Sequence, residues 1–249
     1  MEIDIRTLVL FYFIANAMNN GLMFIIWRMY RRHYRGLTYL FVDMCLMTVA
    51  SLFLLLRDVI PDNWSIALTN LFSVTGMLFT LKGLELFFSR TSKRIYNYVI
   101  ISAFMFCALY FSKVDNNLFI RNILLSVMII LLNGQSALLL FRGIAPKDRK
   151  FARFTAIILL SYCVFSFGRI IAMLVIPQQE NDFFASGIVN SIAMIAYSVL
   201  NIMLTAGFIM MVSHRLLNEA ETEKEKYIRA FHYSPYALLL TRASDGRIF

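Results

Sequence analysis

The sequence is short of the residues that interrupt helices and of the charges that cover a soluble surface. It holds 10 glycines and 4 prolines among 249 residues, which argues against a disordered or fibrous repetitive chain. Only 16% of its residues are charged, whereas 59% are hydrophobic, and its mean hydropathy is +0.67. A soluble domain of this length needs far more polar surface. The composition therefore predicts a polytopic helical membrane protein.

Residues that bind metals and cofactors are also scarce. The three cysteines, Cys45, Cys107 and Cys163, lie in three different apolar segments, and no CxxC motif occurs. All three histidines lie outside the apolar segments, which counts against a haem protein, and the last segment lacks the lysine that a retinal protein needs. No HExxH, GxSxG or carboxylate–histidine cluster is present. We therefore expect no metal, no cofactor and no catalytic residue in this chain. Among the possible functions, a membrane enzyme is the least favoured.

Seven apolar segments of membrane-spanning length follow one another with short connections. Short connections make consecutive helices antiparallel neighbours, so the predicted fold is an all-α, up-and-down bundle of seven transmembrane helices. The segments are approximately Ile5–Trp27, Leu37–Leu56, Ser65–Phe88, Ile95–Ser112, Asn117–Phe141, Phe154–Ile176 and Ser186–Val212.

Basic residues alternate between the connections. The first, third and fifth connections hold 12 lysines and arginines, whereas the other three hold 2. By the positive-inside rule the odd-numbered connections are cytoplasmic, the N-terminus is outside and the C-terminus is inside. The net charge of +9 is thereby assigned to membrane topology, and membrane lipids rather than nucleic acid are the expected partners.

Ionisable residues inside a membrane are costly, which makes each one a functional candidate. Asp43, Lys82 and Glu85 fall at similar depths in the second and third segments, and a polar cluster of these three residues is predicted to join the two helices. The alternative is local pairing of these groups or snorkelling to the interface.

Arg169 lies too deep in the sixth segment to snorkel easily, so it must face a cavity or a partner. With Arg121, at the outer end of the fifth segment, it could line an outward-facing pocket for a small anionic ligand. Asn122 and Asn190 are further candidates for this site. The alternatives are a structural ion pair with Asp58, Glu180 or Asp182, and ordinary interhelical hydrogen bonding for the amides.

The last apolar segment continues into a charged stretch, 213–230, which is predicted to be a cytoplasmic signalling helix. Leu217, Ala220, Lys224 and Tyr227 follow the spacing of a coiled coil, with Lys224 as a polar exception. Pairing of this face would make the protein a parallel homodimer. The alternative is a solvated extension of the seventh helix.

The final residues, 231–249, predict a strand, a turn at Asp245-Gly246 and a second strand. They resemble the opening of a PAS domain, whose usual start reads F-x-x-S-P-x-A, three apolar residues, four further residues and then D-G-x-I. The matching residues are Phe231, Ser234, Pro235, Ala237, Asp245, Gly246 and Ile248.

The spans ahead of this motif resemble the seven-helix input regions of bacterial multidomain sensors. The resemblance implies a sensory input domain at 1–212 in the inner membrane, a signalling helix at 213–230 and the start of a PAS domain at 231–249. It also implies that the protein continues beyond Phe249 into a PAS domain and an output module, either a histidine kinase or a diguanylate cyclase. A transporter or channel, whose path the buried charges would line, is the alternative function.

Overall fold

The computed structural model describes residues 5–57, 59–90, 95–113, 117–142, 144, 148–175 and 187–232. Each helix in these ranges is long and apolar enough to cross a membrane, so the predicted class of multi-pass helical membrane protein is confirmed. The helices are α1 (Ile5–Tyr30), α2 (Leu37–Leu55), α3 (Asp62–Phe87), α4 (Ile95–Lys113), α5 (Leu118–Phe141), α6 (Arg149–Val175) and α7 (Gly187–His232).

The distribution of polar residues is that of a membrane protein, with polar groups inside and apolar groups outside. Phe106 and Val164 are 74% and 67% exposed, whereas Ser126 and Ser166 are fully buried. Hydroxyl groups in hydrocarbon need a partner, and the Oγ of Ser126 donates to the carbonyl oxygen of Asn122, one turn earlier, at 2.8 Å. The exposed apolar surface therefore faces lipid and the buried polar groups face other helices.

Six of the helices form a closed ring in the order α1, α2, α3, α5, α6, α7 and back to α1. Consecutive helices are neighbours throughout, as the short connections predict. The ring nevertheless passes directly from α3 to α5, which the sequence did not predict. Within the described residues, α4 packs only on α3 and α5, so it lies outside the ring.

The helices alternate in direction, and their contacts define two ends of the bundle. At the N-terminal end, the Oγ of Ser65 near the start of α3 donates to the carbonyl oxygen of Phe53 near the end of α2. At the other end, called the tail end, the guanidinium of Arg215 on α7 bonds the carbonyl oxygen of Phe87, the last residue of α3. Helices α1, α3, α5 and α7 thus all begin at the N-terminal end.

Two glycines allow α2 and α3 to approach closely. A Cβ atom on Gly83 would lie 2.8 Å from Leu40 Cδ2 of α2, and one on Gly76 would lie 2.6 Å from Asp43 Oδ1. Both distances are shorter than real carbon contacts allow. The side of α3 that faces α2 is therefore fixed by small residues, as is usual where membrane helices pack tightly.

Asparagines of α1 join this helix to its neighbours α2 and α7. Asn16 is buried and accepts a hydrogen bond from the amide nitrogen of Asn201 on α7. The Oγ1 of Thr48 on α2 donates to the carbonyl oxygen of Asn16 at 3.3 Å, and Cys45 donates to Asn20. These bonds connect α1, α2 and α7 near the middle of the bundle.

Helix α7 runs without a break for 46 residues, which confirms the predicted helical extension beyond Val212. Leu217 and Tyr227 are 64% and 68% exposed, and Ala220 and Lys224 are also exposed. Phe231, the first residue of the PAS-like pattern, lies in the last turn of α7. The predicted strands and turn that follow lie outside the described residues.

Candidate ligand site within the helix ring

A cavity of about 180 Å³ lies inside the ring. Every ring helix contributes to its wall, and its lining includes no residue of α4. Toward the N-terminal end the wall holds three arginines and two asparagines, which we call the arginine end: Arg57, Arg121, Asn122, Arg169 and Asn190. The four residues predicted for an anion site are therefore brought together on one cavity, and Arg57, just past the end of α2, joins them.

Arg169 is held in place by a neutral group. It is 7% exposed, and its Nη2 donates to Asn190 Oδ1 at 2.8 Å. The acids considered as its partners from sequence, Asp58, Glu180 and Asp182, lie outside the described residues. Asn190 is a neutral amide, so this hydrogen bond supports the guanidinium without cancelling its charge.

Aromatic residues position Arg169 from the side. Its Cζ lies 6.0 Å from the centre of the Tyr197 ring, within the range of a cation–π contact. Tyr197 stacks on Tyr162 of α6 at 6.0 Å, and its hydroxyl lies 2.9 Å from Ser166 Oγ. Tyr162 and Tyr197 both line the cavity. This support ties the guanidinium to α6 and α7 together.

Hydrogen-bond donors remain unsatisfied at the arginine end. Arg169 Nε, Asn122 Nδ2 and Asn190 Nδ2 are buried and have no hydrogen-bond partner among the described residues. Buried polar groups are normally paired, and each unpaired one calls for an explanation. Three donors on one cavity wall are suited to a ligand that brings hydrogen-bond acceptors, such as a carboxylate or phosphate.

Asp43 occupies the opposite part of the cavity and is 2% exposed. Its Oδ2 accepts a hydrogen bond from Thr80 Oγ1, while its Oδ1, packed against Gly76, has no hydrogen-bond partner among the described residues. Lys82 and Glu85 pair with each other at 3.2 Å. The structure thus brings Thr80, and not Lys82 or Glu85, to the carboxylate of Asp43, because of the register of α3 against α2.

One face of α3 supplies polar residues to the cavity wall, and these residues were not predicted from the sequence. Thr69, Asn70, Ser73 and Thr80 all line the cavity. Their spacing of one, three and seven residues keeps them on one side of a helix, and this was the signal available in the sequence. Hydroxyl residues are common in membrane helices as packing groups, which is why the pattern alone did not identify a site.

A second set of contacts, the tail clamp, joins α7 to the tail end of the ring. It consists of His33 and Tyr34 between α1 and α2, Phe87 of α3, and Arg215 and Glu219 of α7. Arg215 lies over the rings of Tyr34 and Phe87 at 5.3 and 5.0 Å and donates to the Phe87 carbonyl oxygen at 2.5 Å. Glu219 Oε2 accepts from the Tyr34 hydroxyl at 3.0 Å and lies 2.7 Å from His33 Nε2.

The electrostatics of the tail clamp follow from these bonds. Partial burial opposes ionisation of Glu219, but hydrogen bonds from His33 and Tyr34 outweigh it and lower the pKa of this carboxyl below its usual value. Burial, and then the bond to Glu219, raise the pKa of Tyr34. Tyr34 therefore stays a neutral donor and Glu219 a charged acceptor over the ordinary pH range.

Known proteins give no further guide to this site. Comparison of the chain with family models, with curated proteins and with solved structures finds no match. Among the described residues, no group of three or more His, Cys, Asp or Glu side chains could hold a metal ion. The function must therefore be argued from the cavity and from the helix that leaves it.

Proposed function

We propose that this chain is the sensory input module of a bacterial signal-transduction receptor in the inner membrane. Its cavity binds a small ligand with an anionic group at the arginine end, and α7 relays the bound state to a cytoplasmic PAS domain. A histidine kinase or diguanylate cyclase module then produces the output. The N-terminal end faces outward in this proposal, because the basic connections gather at the tail end.

One observation carries the proposal: a single helix both lines the cavity and leaves the bundle. Asn190, Met194, Tyr197, Asn201 and Leu204 of α7 all contribute to the cavity wall. The same helix then continues through the tail clamp to His232 without a proline. Because a helix is stiff over this length, a shift or rotation at the wall is carried to the exposed part.

The exposed part of α7 has the surface expected of a homodimer. Leu217 and Tyr227 are large, apolar and solvent-exposed on the face predicted for coiled-coil pairing. Ion pairs within the helix join Lys226 to Glu223 and Arg229 to Glu225. Pairing of two copies would bury the apolar face and leave the charged groups in water.

Cysteine cross-linking in native membranes tests this pairing. We expect Leu217→Cys and Tyr227→Cys to give disulfide-linked dimers on mild oxidation, whereas Glu221→Cys and Glu225→Cys should not. The endogenous cysteines are replaced by alanine in all four proteins. Equal yields at all four positions would show that the helices do not pair through the predicted face.

Transmission through α7 is tested in the full-length protein by inserting one to seven alanines after Glu221. A helix turns about 100° per residue, so output should vary with insertion length and recover near seven residues, or two turns. Output that is independent of insertion length would rule out helical transmission. The same series placed beyond the PAS domain serves as the control.

The alternative, a transporter or channel, is favoured by the buried charges of opposite sign on one cavity, Asp43 and Arg169. Flux of small anions into liposomes that contain the purified chain would support it, provided that the flux disappears in Arg169→Ala. In a sensor, the liposomes should show no such flux.

A further inference from the structure

Asp43 is a buried carboxylate on the cavity wall that has no positively charged partner. It is 2% exposed and belongs to the membrane-spanning part of α2. Its Oδ2 accepts a hydrogen bond from the neutral hydroxyl of Thr80, whereas its Oδ1 has no hydrogen-bond partner among the residues that the structure describes. No lysine, arginine or histidine of these residues forms an ion pair with it. A carboxylate in this position is costly unless a positive charge meets it.

The nearest candidates for that charge within the chain have other partners. Arg169, which lines the same cavity, donates to Asn190 near the start of α7, at the N-terminal end. Lys82, close to Thr80 on α3, pairs with Glu85 at 3.2 Å. The positive charge that Asp43 needs is therefore not supplied by either side chain.

Neutral oxygen atoms of other ring helices lie near this carboxylate. Tyr12 of α1 and Tyr162 of α6 line the cavity, and both interact electrostatically with Asp43. Asn201 of α7 also lines the cavity, and its amide nitrogen donates to Asn16, so its carbonyl oxygen is left to bind another group. Hydroxyl and amide oxygens can coordinate a hard cation, but they cannot balance the charge of a carboxylate.

The size and charge of the cavity restrict the cation to a small monovalent ion. A volume of about 180 Å³ holds such an ion with a few waters, since one water occupies about 30 Å³ in the liquid. Within the described ranges, Asp43 is the single acid that lines the cavity, so one carboxylate balances one positive charge. Calcium sites combine several acidic side chains, and no group of three His, Cys, Asp or Glu residues in these ranges could form one.

From these features we propose that Asp43 binds a small monovalent metal cation inside the bundle. Its carboxylate supplies the charge, and the hydroxyl of Thr80 positions it. Tyr12, Tyr162 and Asn201 supply neutral oxygens, directly or through water. This cation site is distinct from the ligand site at the arginine end and does not depend on the proposed sensory function. Because the ion binds only the folded ring, it makes the stability of the bundle depend on the salt present.

Thermal unfolding of the whole chain in lipid nanodiscs tests the proposal, with sodium as the probe. Sodium chloride is replaced stepwise by the chloride of N-methyl-D-glucamine, a large organic cation, at constant pH and ionic strength. Chloride stays constant, so an effect of anions at the arginine end does not enter the comparison. The melting temperature should rise with sodium, by about 3–6 °C at a tenfold excess over the dissociation constant.

Variants assign this response to Asp43. Asp43→Asn keeps the shape of the side chain and removes its charge, so its melting temperature should not depend on sodium. Thr80→Val removes the positioning hydroxyl and should move the response to about tenfold higher sodium concentrations. Glu223→Gln removes an exposed carboxylate of the tail and is the matched control, which should respond like the wild type.

Two results would overturn the proposal. A wild-type melting temperature that is the same in both salts, even if it changes with pH, would show that Asp43 binds a proton and no metal ion. A sodium response that persists in Asp43→Asn would place the ion elsewhere. The wild-type measurement needs no substitution, so a variant that fails to fold does not leave the proposal untested. The insertions in α7 test the proposed sensory function separately.

Discussion

The segment of α7 inside the ring, Asn190 to Leu204, and the segment beyond the tail clamp, Ala220 to Arg229, differ in what surrounds their side chains. Inside the ring, Asn190 and Asn201 are buried and bond to residues of α6 and α1. Beyond the clamp every residue is exposed, and the ion pairs are between residues of the same helix. One helix thus passes from a surface specified by its neighbours to a surface that is exposed in the part of the chain that the structure describes.

This contrast separates two sources of helix stability. The inner segment is held by packing and hydrogen bonds to other helices, which are sensitive to volume. The outer segment depends on helix propensity and local ion pairs, each worth only about 0.2–0.5 kcal/mol. Substitutions of one kind at the two places should therefore have very different effects.

The largest effect is expected from filling the cavity wall. Ala193 is 2% exposed and lines the cavity, so Ala193→Trp should destabilise the protein by about 1–3 kcal/mol and abolish ligand binding. Ala220→Trp, on the exposed segment, is the matched substitution and should stay within about 0.5 kcal/mol. Thermal unfolding in nanodiscs measures both. Similar melting temperatures for the two variants would contradict the difference in packing between the inner and outer segments of α7.

A smaller loss of stability is expected from a substitution at the contact between α2 and α3, on the opposite side of the ring from α7. Gly76→Ala places a methyl group against Asp43 Oδ1 and should destabilise by about 1–2 kcal/mol while displacing this carboxylate. Gly21→Ala is the control, because nothing lies within 4 Å of a Cβ atom there. It should be neutral or slightly stabilising, since alanine favours a helix. If Gly76→Ala proves as stable as Gly21→Ala, the close packing of α2 and α3 is not required.

A substitution in the tail clamp should loosen only the nearby part of α7 and should leave the rest of the bundle unchanged. Arg215→Ala removes the bond to Phe87 and two ring contacts, which should weaken the docking of α7 by about 1 kcal/mol. Hydrogen exchange of residues 213–219 should become faster, while exchange around Asn201 stays unchanged. Arg229→Ala, which loses only a pair with Glu225, is the control. Unchanged exchange in Arg215→Ala would show that the clamp does not hold α7.

The smallest effect expected is the pH dependence of the tail clamp, which arises from the carboxyl group of Glu219. Because the folded pKa of Glu219 lies below its unfolded value, its bonds stabilise the clamp above the ordinary glutamate pKa of about 4.3 and are lost as the pH falls through the lowered value. The protection factors of residues 213–219, which are taken relative to the intrinsic exchange rate at each pH, should therefore fall only in acid. Glu219→Gln should show lower protection at neutral pH and little further change in acid. Wild-type protection factors that do not change in acid would contradict this role of Glu219.

The sequence predicted the parts of the fold that depend on local composition. Segment length and apolarity gave the seven helices, and the depth of Arg169 pointed to a cavity. The closure of the ring from α3 to α5 could not be predicted, because short connections determine which consecutive helices meet but not which others do.

The candidate site, too, was only partly predictable, because some of its contacts depend on how the helices pack. Arg121, Asn122, Arg169 and Asn190 stood out because charged and amide groups are rare in membranes. The partner of Asp43 depended on the register of α2 against α3, and a difference of two residues separates Thr80 from Lys82. Small residues such as Gly76 set that register, and their effect appears only when both helices are packed.

The position of α4 outside the ring affects the field inside it. Each helix carries a partial charge of about +0.5 at its amino end and −0.5 at its carboxyl end. Around the arginine end the ring presents the amino ends of α1, α3, α5 and α7, and the carboxyl ends of α2 and α6 alone. The carboxyl end of α4 is set behind α3 and α5. The backbone of the ring therefore adds a positive potential to that of the arginines, and it draws negative groups to this end even before a side chain touches them.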